Sequence, residues 1–282
     1  MSWYVVAASA AGTSHQGSGT PCQDDSWVEV CKASNDTPLL SVFVCDGAGS
    51  APLSRKGVDV ATVAAVAFWE SVRQRAPTVA LDESLAQALV LSVREALQQE
   101  AQQSRRPLRD YACTFLGVLG SPTCTLAFQI GDGGIVLDCG QGLELALEPM
   151  TGEYANMTHF ITQDDALDVL ECKVYKQVAQ RVAVFTDGIQ RLALNMAQGT
   201  AHEPFFRPFF SGLLRATAQQ REGLQGLLHH FLDSPAVNER TDDDKTLALA
   251  VWSEGDPGEE DADEARARHS TSQDDGRREG AV

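Results

Sequence analysis

The sequence predicts an α+β layered domain with antiparallel sheets, and three observations carry that expectation. Short apolar runs bounded by Gly, Pro, Ser, Asn or Asp stand near the start and again through the middle, as strands do. Two long segments of helical period separate these groups, and a further helical stretch precedes one last apolar run. Most of the middle strands are joined by segments too short to hold a crossover helix, which suits hairpins rather than a doubly wound sheet.

Taken in order, Trp3 to Ser9, Ser26 to Val30 and Leu40 to Cys45 read as strands. From Ser54 to about Arg75 apolar residues recur at helical spacing, and Asp82 has the chemistry of an N-cap for a second helix running to Gln103. Pro77 separates the two as a helix breaker. Strands return at Tyr111 to Leu119, Thr123 to Ile130, Gly134 to Asp138, Leu143 to Ala146, Leu170 to Gln177 and Arg181 to Thr186. Helical patterns run from Pro204 to Asp233, and Thr246 to Trp252 is the last strand. Residues 1–252 are expected to form one domain. Residues 253–282 are polar, nearly free of aromatics and too poor in apolar surface to offset their ordering entropy, so they read as an acidic, disordered tail.

With 282 residues, 43% of them hydrophobic, the chain can bury the core of an enzyme. Its formal charge of −17 would repel nucleic acid and anionic membranes, which excludes both as primary partners. The seven cysteines lack a Cys-x-x-Cys pair and mostly sit in apolar runs, where a reduced thiol behaves as a small hydrophobe. The first residues, MSWYVVAASAAG, lack a basic region and are too mixed for a secretory signal, and no stretch reaches ~18 apolar residues. A cytoplasmic location is the expectation.

The informative pattern is where aspartates fall. Asp46 ends SVFVC, Asp132 ends TLAFQI, Asp187 ends VAVFT, and Asp243 stands just before TLALAVW. Strands packed in a sheet hold such tips at fixed depth, so the four carboxylates could meet at one rim. Gathered there, they require cations to neutralise them, and oxygen ligands alone favour Mg²⁺ or Mn²⁺. Glycine follows three of the four, at Gly47, Gly133 and Gly188, and would let a backbone carbonyl approach an ion. Asp-Gly is also a hairpin signal. After Gly47 and Gly188 the pattern turns helical, against a hairpin, whereas for Asp132 the turn and the metal role both stay open. No Ser-His-Asp, Gly-x-Ser-x-Gly, His-Glu-x-x-His or phosphate-loop motif is present, and CDGAG lacks the second aspartate of an Asp-x-Asp phosphatase.

The order GSGTPCQDD, VFVCDGAGSAPLSRKG, YACTFLGV, IGDGGIV, GEYANMTHFIT, VFTDGI and DDDKTLALAV resembles the metal-dependent protein phosphatases of the PPM type (type two C), in the bacterial branch whose first motif reads Gln-Asp. The likeness runs from about Trp3 to Trp252. It implies a four-layer α-β-β-α sandwich of two antiparallel sheets flanked by helix pairs, with two cations, Mn²⁺ or Mg²⁺, at one end. By motif, Asp46 would bridge both ions with the Gly47 carbonyl helping, Asp187 and Asp243 would hold the other ion, and Asp132 would belong to a weaker third site. Gln23 would act through its amide oxygen and Asp24 mainly through metal-bound water, while Thr114 and Asn156 would be structural. The implied activity is hydrolysis of phosphoserine and phosphothreonine on proteins, opposing a cognate kinase. Two departures stand out: Gln23 replaces a frequent Glu, and Gly19 stands where many relatives carry a phosphate-clamping arginine. His15, Arg55 and Lys56 are candidate substitutes for that clamp. The departures also support a competing expectation, a phosphatase-fold module that binds phosphoproteins without turning them over.

Overall fold

In the computed structural model, residues 1–75, 78–150 and 158–254 are described. Strand β1 (Ser2–Ala10), a short helix α1 (Thr13–Ser18) and the hairpin of β2 (Asp25–Lys32) and β3 (Pro38–Cys45) come first. Helices α2 (Ser54–Arg75) and α3 (Glu83–Ser104) follow, then β4 (Phe115–Ser121), β5 (Cys124–Ile130), β6 (Gly134–Asp138), β7 (Glu144–Leu147), β8 (Glu171–Tyr175) and β9 (Arg181–Phe185). The remainder is α4 (Gln190–Ala193), a small ribbon of β10 (Leu194–Asn195) and β11 (Thr200–Ala201), helices α5 (Glu203–Arg215), α6 (Ala218–Leu232) and α7 (Pro235–Asn238), and β12 (Lys245–Ser253).

Two five-stranded antiparallel sheets result, ordered β1-β12-β9-β6-β7 and β2-β3-β4-β5-β8. Their packing follows from strand alternation. On β3, Leu40, Val42 and Val44 meet Val182, Val184, Ala248 and Ala250 of the facing sheet, while Phe43 and Cys45 point to the outer layer. There Val58 and Trp69 of α2 and Leu89, Val93 and Leu97 of α3 close over Phe43, Phe115 and Phe128. On the opposite side Phe206 and Phe210 of α5 and Leu228 and Leu232 of α6 cover Phe185, Leu247 and Leu249. The central strands of both sheets are thus buried on both faces, which is why they read as nearly continuous apolar runs, whereas the edge strands β2 and β8 are only partly covered. The order of layers is the expected helix pair, sheet, sheet, helix pair.

Most element positions agree with the sequence reading, and Asp82 does cap α3, its carboxylate accepting from Leu85 N–H at 3.1 Å. Three differences have physical causes. The strand expected from Tyr111 begins at Phe115, because Leu108–Tyr111 winds into a 3-10 turn that buries the Tyr111 ring. The helical stretch from Pro204 divides at Thr217, whose hydroxyl and Gln220 form a capping box that restarts the chain as α6. Helix α1 buries no residue and therefore leaves no apolar period to read. The hairpin reading at Asp132 gives way. Strand β5 pairs with β4 and β8, whereas β6 pairs with β9 and β7, so residues 131–133 cross from one sheet to the other. Pro77, Asn156 and the segment after Glu254 lie outside the described residues.

Candidate active site

Strand register brings the carboxylates to one end of the sandwich. In one sheet Asp25 lies opposite Cys45 and Phe115 opposite Ile130, which sets Asp24, Asp46 and Asp132 on a common rim. In the other, Ala10 faces Lys245, and Phe185 faces both Leu247 and Gly134, which brings Asp187 and Asp243 to the same end. Between the two rims opens a cleft of about 180 Å³ lined by Asp46, Asp132, Asp187 and Asp243 together with Gln23, Gly47, Thr114, Thr158, His15 and Asp244. Of the expected residues, Gln23, Asp46, Gly47, Asp132, Asp187, Asp243 and His15 meet here. Among the described residues, no lysine or arginine lines this cleft.

Uncompensated negative charge follows. Asp46 holds its proton well above the usual carboxylate range, first because it is buried and then because Asp24, Asp187 and Asp243 face it. Its carboxyl lies in hydrogen-bonding reach of Asp187, from the other sheet. Burial, with Asp132 and Asp243 nearby, pushes Asp187 up to about 6. Asp187 Oδ1 and Gln23 Oε1 are buried with no hydrogen-bond partner among the described residues. Asp132 is also raised by burial, an effect tempered by the hydrogen bond that the Thr158 hydroxyl donates to its carboxylate. The acids ring the cleft: among the described residues, no three His, Cys, Asp or Glu side chains are drawn tightly enough together to form a metal cage already closed.

The floor is built from backbone and hydroxyls. Asp46 N–H donates to Thr114 Oγ1 at 3.0 Å and Thr114 N–H to the Asp46 carbonyl at 2.8 Å, which fixes the Asp46 backbone beside the start of β4. Thr114 thus braces Asp46 while also lining the cleft. Asp24 sits deeper than the other acids. It is fully buried beneath the cleft rather than lining it, and its Oδ2 accepts from Thr186 Oγ1 at 2.7 Å and Thr246 Oγ1 at 2.9 Å. Burial pushes this acid up to about 7.

Two of the three clamp candidates are placed elsewhere. Arg55 Nη1 donates to the carbonyls of Asp24 at 2.6 Å and Cys22 at 3.3 Å, and Nη2 pairs with Asp59 at 2.6 Å, so its fork is spent holding the Gln23 segment. Lys56 is half exposed and faces Glu100 at 3.9 Å. His15 does reach the cleft, with Nδ1 2.9 Å from Asp244 Oδ2. Gly19 ends α1 at φ 72°, a left-handed position where an arginine would be strained.

Asp244 is the residue that the sequence reading missed. Its carboxylate accepts from Gly12 N–H at 2.7 Å and Gln23 N–H at 2.5 Å, tying the ends of β1 and β12 to the segment before β2. The signal was present as the third acid of DDDK, where alternation along a strand turns neighbours to opposite sides. The Asp-Gly glycines also have a use beyond the one expected. A Cβ at Gly188 would fall 1.9 Å from the Asp244 carbonyl oxygen, and one at Gly47 2.9 Å from that of Gln23, so both allow neighbouring loops of the rim to touch.

Residues 11–233 match the family model described as Protein phosphatase 2C. The chain is 52% identical over 254 residues to serine/threonine-protein phosphatase 3 of Escherichia coli (strain K12), covering 90% of this chain and 100% of that protein. Among solved structures, it resembles the catalytic domain of the serine/threonine protein phosphatase PstP in complex with two manganese ions, with a TM-score of 0.56, 15% identity and coverage of 88% of this chain and 97% of that one. The serine/threonine phosphatase Stp1 of Staphylococcus aureus superposes with a TM-score of 0.55 at 12% identity, over 83% of this chain and 90% of that one. The sandwich, the acidic rim between its sheets and these relationships agree: the chain belongs to the protein phosphatase 2C family of enzymes.

Proposed function

We propose that the domain formed by residues 1–252 hydrolyses phosphoserine and phosphothreonine side chains of cytoplasmic proteins, opposing a cognate kinase, and that it does so with two divalent cations, Mn²⁺ or Mg²⁺. The observation that carries the reading is the pairing of Asp46 with Asp187 across the two sheets, beside oxygens of Asp187 and Gln23 that have no partner among the described residues, in a cleft where His15 is the one basic side chain among those residues. Hard oxygen donors with uncompensated charge suit these cations. Asp46, the Gly47 carbonyl, Asp187 and Asp243 are the ligands assigned to the pair, with Gln23 lending its amide oxygen and Asp132 belonging to a third, weaker site. When bound, the cations supply Lewis acidity that lowers the pKa of a water and neutralises charge on the phosphoryl oxygens.

The chain's own residues then position and insulate. Asp46 is strapped to Thr114 on its backbone side, which leaves its carboxylate free to face the cleft. Asp24 lies beneath, held by two threonine hydroxyls, and keeps the Gln23 segment seated. Among the described residues, the lining hydroxyls, Thr114 and Thr158, already serve Asp46 and Asp132, so a water rather than a side chain is the nucleophile that the cleft accommodates.

Hydrolysis of an aryl phosphate and of a phosphothreonine peptide is expected to require added Mn²⁺ or Mg²⁺. Asp46→Asn is expected to lose at least about a hundredfold in kcat while its circular dichroism is retained, given the usual contribution of charge stabilisation at a reacting centre. Full turnover in excess chelator would overturn the reading, and metal-dependent phosphopeptide binding without turnover would replace it with the binding-module reading.

A further inference from the structure

A second cleft, of about 460 Å³, opens on the far side of the same acids, sharing Asp132, Asp187 and Asp243 with the first and adding Arg191, Arg240 and Met196. Its two arginines ride on the loops that carry the acids, Arg191 four residues after Asp187 and Arg240 three before Asp243. Both are exposed, and among the described residues neither guanidinium has an ion pair or hydrogen bond. In a chain of net charge −17, an unpaired pair of cations beside the reaction centre is a local exception to a field that repels anions.

We infer that this cleft is a substrate subsite in which Arg191 and Arg240 hold an anionic side chain flanking the phosphoresidue, giving the enzyme a preference for acidic segments of its phosphoprotein substrates. The inference rests on the proposed hydrolytic function and deepens it by naming a substrate class. Contiguity is the first argument: a residue whose phosphoryl group enters the smaller cleft places its chain neighbours over the shared wall. Chemistry is the second. A guanidinium presents a planar fork of donors suited to a carboxylate or phosphate, and unlike Arg55 these two forks are unspent. Met196, 59% exposed, adds an adaptable apolar wall along which a peptide stem can lie.

The test uses the full chain with Mn²⁺, and two phosphothreonine peptides that differ only in having aspartates or alanines on both sides of the phosphoresidue. The wild type is expected to favour the aspartate peptide, and Arg191→Ala with Arg240→Ala is expected to reduce the ratio of the two kcat/KM values about tenfold, chiefly through KM, as for loss of a charge-assisted contact. The charge reversals Arg191→Glu and Arg240→Glu should lower it further and favour a lysine-flanked peptide. Titration calorimetry with the same peptides reads the same ratio as affinities, so zero turnover with preserved discrimination would sink only the hydrolytic reading. An unchanged ratio in the variants overturns the subsite. An equal loss for both peptides and for a simple aryl phosphate also overturns it, because the arginines would then act on the reacting phosphoryl group.

Discussion

Asp24 is anchored by hydroxyls. Thr186 Oγ1 accepts from Thr246 N–H at 3.0 Å and donates its own hydrogen bond to Asp24, while Thr246 Oγ1 also meets Ser9 Oγ at 2.7 Å. One buried acid thereby joins β1, β2, β9 and β12 through short, uncharged donors. Thr186→Val keeps the shape but removes the donor and leaves Thr246 N–H without its acceptor. A loss of about 1–3 kcal/mol is expected in urea denaturation. A loss below about 0.3 kcal/mol would show the network to be incidental. The positions of Asp46, Asp187 and Asp243 were legible because each stands beside one end of an apolar strand. Asp244 and the two threonines were not, since Gly12, Gln23 and Asp24, to which they bind, are more than a hundred residues away and only the closed sheets bring them together.

At the level of elements, the rim works because loops from both sheets touch without side chains between them. The backbone of Gly188 lies against the Asp244 carbonyl so closely that Gly188→Ala must push the Asp187 turn away from the start of β12. That variant is expected to lose about 1–3 kcal/mol of stability by overpacking. It should also weaken Mn²⁺ binding measured by calorimetry, because Asp187 and Asp243 move apart; unaltered binding would separate the turn from the metal site. Apolar periodicity revealed α2, α3 and ten strands of the sandwich. It could not reveal α1, which buries nothing, nor that β5 leaves its sheet at Ile130, because a crossing between sheets and a tight hairpin begin with the same Gly and Asp residues. Likewise the basic neighbours of the motifs could not be ranked from sequence: Arg55 and Arg191 both follow an Asp-Gly pair, and only packing distinguishes a backbone clamp from an unspent fork.

For the molecule as a whole, the acidic end makes metal-free stability depend on pH. Burial and mutual repulsion hold Asp24 up to about 7 and Asp187 up to about 6, above the values they take in an unfolded chain. Groups raised in this way favour the folded state while protonated; their contribution is full below the unfolded pKa and disappears as pH rises through about 6 to 7. In excess chelator the midpoint of thermal unfolding should therefore fall between pH 5 and pH 8, at about constant ionic strength, and Mn²⁺ should restore it most at the alkaline end. A flat profile would mean the acids do not share their charge. The pairing of β1 with β12 has a consequence for synthesis. Ser2 lies opposite Ser253, and Asp243 stands two residues before that last strand, so a growing polypeptide cannot assemble the reaction centre until nearly all of the domain has left the ribosome. Nascent chains are in this way kept from dephosphorylating anything before they are folded.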